Sequence, residues 1–101
     1  MQNDSSHLFL IPDAKDLNEY DACLTAASIA IEDGNLEFAE VLFKIAIEFS
    51  EKTWGPYTWL EARVLLALAD LYAQSERYEE AEIAYLLANK ILDRAYPPLS
   101  R

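Results

Sequence analysis

The chain has 101 residues, of which 52% are hydrophobic, and its 18 acidic and 8 basic residues give a formal net charge of −10. This length is typical of one domain, and the hydrophobic fraction is too high for a disordered chain. The charge disfavours nucleic acid and anionic membranes as partners, because their phosphates would be repelled. It suits a protein or peptide partner, including a basic one.

Residues 1–12 are predicted to form an N-terminal tail. Its apolar part, HLFLI at residues 7–11, is too short for a signal peptide or a membrane span, so the expected location is cytoplasmic. This segment is expected either to pack over one end of the core or to contact another subunit. Asp13 follows Pro12 and is the predicted N-cap of a first helix.

The first helix is predicted from residue 14 to about residue 33 by apolar residues that recur at spacings of three and four. These residues are Leu17, Tyr20, Leu24, Ala27 and Ile31. Gly34 is placed to end the helix in the left-handed conformation, and Asn35 is placed to cap the next one.

The second helix is predicted from residue 36 to about residue 52. Ten of the fourteen residues in 36–49 are apolar, so several neighbours are expected to surround it. Thr58 and Glu61 form a predicted capping box for a third helix, from residue 59 to about residue 74. A fourth helix is predicted over 78–95, before Pro97 and Pro98. The predicted fold is therefore all-α, with four antiparallel helices.

The second and fourth helices share a pattern at a distance of 42 residues. Ala39, Phe43 and Ala46 are matched, in the same order, by Ala81, Tyr85 and Ala88. Residues 13–96 would then form one domain with two copies of a helical hairpin, at about 14–54 and 58–96. Residues 97–101 would form a C-terminal tail.

This pattern resembles the tetratricopeptide repeat (TPR), in the kinesin light chain-like form with long helices and a Gly-Pro loop, here Gly55-Pro56. The resemblance covers about residues 20–96, and residues 66–92 match it best. It implies a short superhelix that acts as an adaptor between proteins. Glu76 stands where the family prefers Gly, and Leu66 and Ala67 stand where adjacent Asn residues face the groove. Recognition of a chaperone tail through a carboxylate clamp is therefore not expected.

Two surfaces are predicted to bind partners. The first is an apolar inner groove, matched to the peptide-binding face of the family. Its residues are Asp21, Leu24, Ser28, Ile31, Arg63, Leu66, Asp70 and Ala73. The second is a face of the fourth helix that no third repeat would cover, and it would bind a partner or a second copy in a homodimer. Its residues are Ile83, Leu86, Leu87 and Ile91.

No enzymatic activity, metal site or cofactor is predicted. His7 is the only histidine and Cys23 the only cysteine, and no Gly-rich phosphate loop occurs. The predicted function is a small acidic TPR adaptor. One alternative is an acidic inhibitor or mimic that masks a basic surface of an enzyme or a nucleic-acid-binding protein. Another is a purely structural homo-oligomer.

Overall fold

A computed structural model describes residues 11–95, except for the side chain of Ala95. This range contains four helices and no strand: α1 (Ala14–Glu32), α2 (Leu36–Trp54), α3 (Trp59–Gln74) and α4 (Tyr78–Ala95). The predicted all-α fold is confirmed. Residues 7–10 of the HLFLI segment and the predicted tail 97–101 lie outside the described residues.

The helix ends follow the capping signals of the sequence. Gly34 has φ +81°, and the Asn35 side chain accepts a hydrogen bond from the Phe38 N–H at 3.3 Å. The Thr58 hydroxyl oxygen accepts one from the Glu61 N–H at 3.4 Å. Asp13 occupies the N-cap position of α1, but its side chain makes no capping hydrogen bond.

The helices form two hairpins, and each helix packs mainly against its neighbours in sequence. The main core combines small residues of all four helices with a few large side chains. Ala39, Phe43 and Ala46 of α2 are all buried in it. Alanines at these contacts let neighbouring backbones approach closely, so one aromatic ring fills the space between helices.

Tyr20 joins the first hairpin to the second. Its side chain is fully buried, and its hydroxyl donates a hydrogen bond of 2.5 Å to the Leu60 carbonyl in α3. Burial raises the pKa of Tyr20 to about 12. Its ring also packs edge-on against Trp54, with centroids 5.4 Å apart. This side chain of α1 therefore contacts both α2 and α3.

Glu40 forms a second junction between the hairpins. Its carboxylate accepts hydrogen bonds from Arg77 at 2.8 Å and from the Tyr72 hydroxyl at 3.0 Å, and it pairs with Lys44 at 3.1 Å. The Arg77 guanidinium also lies over the Tyr72 ring, 4.5 Å from its centroid. The hydrogen bond from Arg77 is the main reason that the pKa of Glu40 is lowered to about 2.

The prediction that residues 36–49 are surrounded by neighbours is wrong. Phe38, Val41 and Ile45 of α2 are each about half exposed, and so is Ile29 of α1. Helices α1 and α3 are the main neighbours of α2. The side of α2 that carries Phe38, Val41 and Ile45 stays half exposed among the described residues. The first hairpin therefore has an uncovered apolar edge, formed by these four residues.

Candidate functional site

The main candidate site is a groove of about 780 Å³ to which α2, α3 and α4 all contribute; we call it the α2–α4 groove. Its lining comes from both hairpins and from the loop that joins them. The lining residues are Ile47, Glu51, Tyr57, Glu61, Leu65, Leu87, Lys90, Ile91, Asp93 and Arg94.

The lining of this groove includes a small apolar cluster, separate from the main core. Leu65 and Ile91 are buried there beside Ala62 and Ala88, and Ile47 packs against them. The two alanines let α3 and α4 approach closely, which places Ile91 between these helices. Leu87, one turn earlier on α4, is about half exposed and lines the groove.

An unusual loop backbone holds a carboxyl group in the groove. Tyr57 precedes α3 and has φ +67°, a conformation uncommon for a residue other than glycine. Its N–H donates a hydrogen bond of 2.9 Å to Glu61 Oε1. The predicted capping box is therefore shifted by one residue: Thr58 caps the Glu61 N–H, but the Glu61 carboxyl binds the N–H of Tyr57.

Glu61 is the most perturbed acid of the groove. Only 6% of the residue is exposed, and this burial is the main reason that its pKa is raised to about 7. The Tyr57 N–H opposes that shift, whereas the carboxyl of Glu51 hydrogen bonds to Glu61 and raises its pKa further. Burial and the neighbouring acid therefore both favour the protonated form of Glu61.

The α4 wall of the groove carries positive charge. Lys90 and Arg94 are exposed there, one turn apart, with Asp93 beside them. Within the described residues, neither cation forms a salt bridge. The groove thus has an apolar floor, formed by Ile47, Leu65, Leu87 and Ile91, and its lining also carries acidic and basic side chains.

The predicted inner groove is divided and partly polar. A recess of about 350 Å³ is lined by Asp21, Leu24, Thr25, Ser28 and Arg63, which include four of the predicted residues. Of the other four, Ile31 and Ala73 pack against the main core, and Leu66 packs against the second cluster. Asp70 accepts a hydrogen bond from the Tyr85 hydroxyl. Arg63 pairs with Asp21 at 3.5 Å, but this is an ion pair without a hydrogen bond, since the buried Asp21 Oδ1 has no hydrogen-bond partner among the described residues.

The predicted face of α4 needs one correction. Ile83, Leu86 and Leu87 are each about half exposed, but Ile91 is only 5% exposed. It packs against α3 in the second cluster, so it cannot be a side chain of a fully exposed face. Of the four predicted residues, Leu87 and Ile91 line the α2–α4 groove.

Most residues of the groove were not predicted from the sequence to form a site. Glu61 had a signal in the capping box, but that signal concerns the start of α3 and not burial of the carboxyl group. Glu51, Tyr57, Lys90 and Arg94 carry no motif, because they converge only through the packing of two hairpins.

The chemistry of the described residues gives no sign of a metal centre. They contain no group of three or more His, Cys, Asp or Glu side chains that could hold a metal ion. Across the same part of the chain, no helix is long and apolar enough to cross a membrane. Comparisons with protein-family models, curated proteins and solved structures found no match.

Proposed function

We propose that this chain is a small acidic adaptor, built from two TPR-like hairpins, that binds a segment of another protein in the α2–α4 groove. The observation that carries the proposal is the groove itself. Its volume of about 780 Å³ is that of a typical binding pocket, and its lining combines apolar side chains with charged groups of both signs. Removal of such apolar surface from water by a partner makes a favourable contribution to the free energy of binding.

The inner recess is a weaker candidate for the same role. A partner that entered it would have to replace the pair between Arg63 and Asp21 and compete with Tyr85 for Asp70. The α2–α4 groove has no such requirement at Leu87, Lys90 or Arg94, whose side chains are already exposed. Binding there gains contacts without first losing internal ones.

A peptide library tests this proposal. Random 16-residue peptides displayed on phage would be selected on the intact protein and then measured against Leu87→Glu. We expect enriched peptides whose affinity falls at least tenfold in this variant, because a carboxylate would lie on the apolar floor. Ile83→Glu is the matched control, since Ile83 is also half exposed on α4 but does not line the groove. Equal losses in both variants, or no enrichment at all, would refute groove binding.

The same peptides separate the adaptor from the two alternatives. Binding by an acidic mimic, through many exposed charges, should weaken steeply with added salt, whereas binding in the groove, where charged contacts are few and partly buried, should weaken much less. A structural homo-oligomer is supported by the apolar edge of Ile29, Phe38, Val41 and Ile45. Light scattering decides this alternative, because it gives the molar mass of the protein without peptide.

A further inference from the structure

The α2–α4 groove has an acidic end built from two carboxyl groups that come from different hairpins. Glu51 lies near the end of α2, and Glu61 lies in the first turn of α3. Glu61 is more than nine-tenths buried and is fixed by the Tyr57 N–H, yet it lines the groove. A carboxyl group that is desolvated beside another acid has few ways to become ionised without a nearby cation.

We propose that the groove selects a partner segment in which a lysine or arginine adjoins apolar side chains. The apolar side chains would cover Leu65, Leu87 and Ile91, and the cation would lie between Glu51 and Glu61. This inference rests on the proposed function, since it names the chemistry of the segment that the groove binds.

Charge complementarity supports this occupant over an uncharged one. At the acidic end, a cation would offset the desolvation of Glu61 and its repulsion by Glu51, and each carboxylate could accept a charge-assisted hydrogen bond. A metal ion is not the favoured occupant, because the described residues contain no group of three or more His, Cys, Asp or Glu side chains that could hold one. Lys90 and Arg94, which line the groove from α4, would repel the cation, and this favours a position beside the two carboxyl groups.

The proposed contact makes binding depend on pH. Glu51 on α2 and Tyr57 in the loop act directly on Glu61, and the other charged groups that line the same groove are Lys90, Asp93 and Arg94 on α4. The pKa of Glu61 is about 7, so a cation must displace a proton from it below that pH. Binding of a basic peptide should therefore be about tenfold weaker at pH 6 than at pH 8.

The experiment uses the phage library on the intact protein and on Glu61→Gln in parallel. Glutamine has nearly the same shape as glutamate, and its side-chain oxygen can still accept a hydrogen bond from the Tyr57 N–H. The variant should therefore fold. We expect peptides selected on the wild type to be rich in Lys or Arg beside apolar residues, and those selected on Glu61→Gln to lose that preference. A synthetic wild-type-selected peptide should bind at least tenfold more weakly when its Lys or Arg is replaced by Gln.

The outcomes separate this inference from the proposed function. Selected peptides could bind the wild type, lose affinity for Leu87→Glu and yet show no preference for Lys or Arg. This result would overturn the inference and leave the groove as a binding site. Affinities that do not change between pH 6 and pH 8 would overturn it as well. Absence of any groove-dependent peptide would overturn the proposed function itself. A doubled mass in light scattering that returns to the monomer value in Leu87→Glu, but not in Phe38→Glu on the apolar edge, would place a second copy of the chain in the groove, and this too would refute the proposed partner class.

Discussion

Glu76 ends the turn of the second hairpin with φ +62°, in the left-handed region that favours glycine. Gly34 occupies the corresponding position of the first hairpin, with φ +81°. A side chain in this conformation costs roughly 1 kcal/mol or more, so the two turns share a shape but differ in strain.

This difference predicts that Glu76→Gly stabilises the protein. Relief of strain should raise the free energy of unfolding by about 0.5–1 kcal/mol, after the added flexibility of the unfolded chain is subtracted. Urea denaturation measures it. Gly34→Ala is the control and should lower stability by a similar amount, because its Cβ would meet no atom within 4 Å and only backbone strain would act. A neutral Glu76→Gly would contradict this account.

The roles of single residues at helix ends could be predicted from the sequence, because capping interactions act within about four positions. Gly34, Asn35 and Thr58 have the predicted roles at helix ends. Glu61 shows the limit of such reading. Its capping function is local, but its burial and raised pKa depend on Glu51 and on how α4 covers the groove.

Among the elements, α2 has one buried side and one uncovered side, and Phe43 and Phe38 show the contrast. Phe43 is 3% exposed in the main core, whereas Phe38 is 50% exposed on the apolar edge. Phe43→Ala should lower the free energy of unfolding by about 3–5 kcal/mol, since it leaves a cavity between helices. Phe38→Ala, the matched control on the same helix, should lower it by less than about 1 kcal/mol.

Thermal or chemical denaturation of these two variants checks the prediction. Similar losses in both would mean that the two faces of α2 are covered to the same extent. A small loss in Phe43→Ala would remove this ring from the core.

The burial of α4 could be predicted only in part. Leu87 and Ile91 are one turn apart, and the sequence assigns them to a single face. In the structure Ile91 lies between α3 and α4, but Leu87 remains half exposed. The difference arises because α3 approaches α4 closely at Ala62 and Ala88, and hydrophobic spacing within one helix does not determine where a neighbour crosses it.

At the scale of the whole molecule, the ionisation of Glu40 makes the contact between the two hairpins sensitive to acid. The pKa of Glu40 is lowered to about 2, mainly by Arg77, so its ionised form stabilises the folded state. That stabilisation is complete above the unfolded value of 4.5 and is lost as the pH falls towards 2. Glu40→Gln should therefore lower stability by about 1 kcal/mol at pH 7.

The difference between wild type and Glu40→Gln should shrink by about half or more between pH 7 and pH 3. Guanidinium denaturation at several pH values measures it. Glu48→Gln is the control, because Glu48 pairs with Lys52 at 3.8 Å on the exposed surface. A loss in Glu40→Gln that is constant with pH would show that packing, and not charge, explains its effect.

The number of helices, their order and their pairing into hairpins could be predicted, because they follow from hydrophobic spacing, caps and the 42-residue pattern. The uncovered edge at Phe38, Val41 and Ile45 could not, because composition alone does not state which side of α2 has a neighbour. The α2–α4 groove likewise depends on the relative placement of helices that are distant in sequence.

The packing of each helix mainly against its sequence neighbours has a kinetic consequence. Chains whose contacts are local in sequence close only short loops before they gain packing, and they fold in microseconds to milliseconds. Either hairpin could form first and then serve as a template for the other. Tyr20 and Glu40, which join the hairpins, would then act late, and their loss should speed unfolding more than it slows folding.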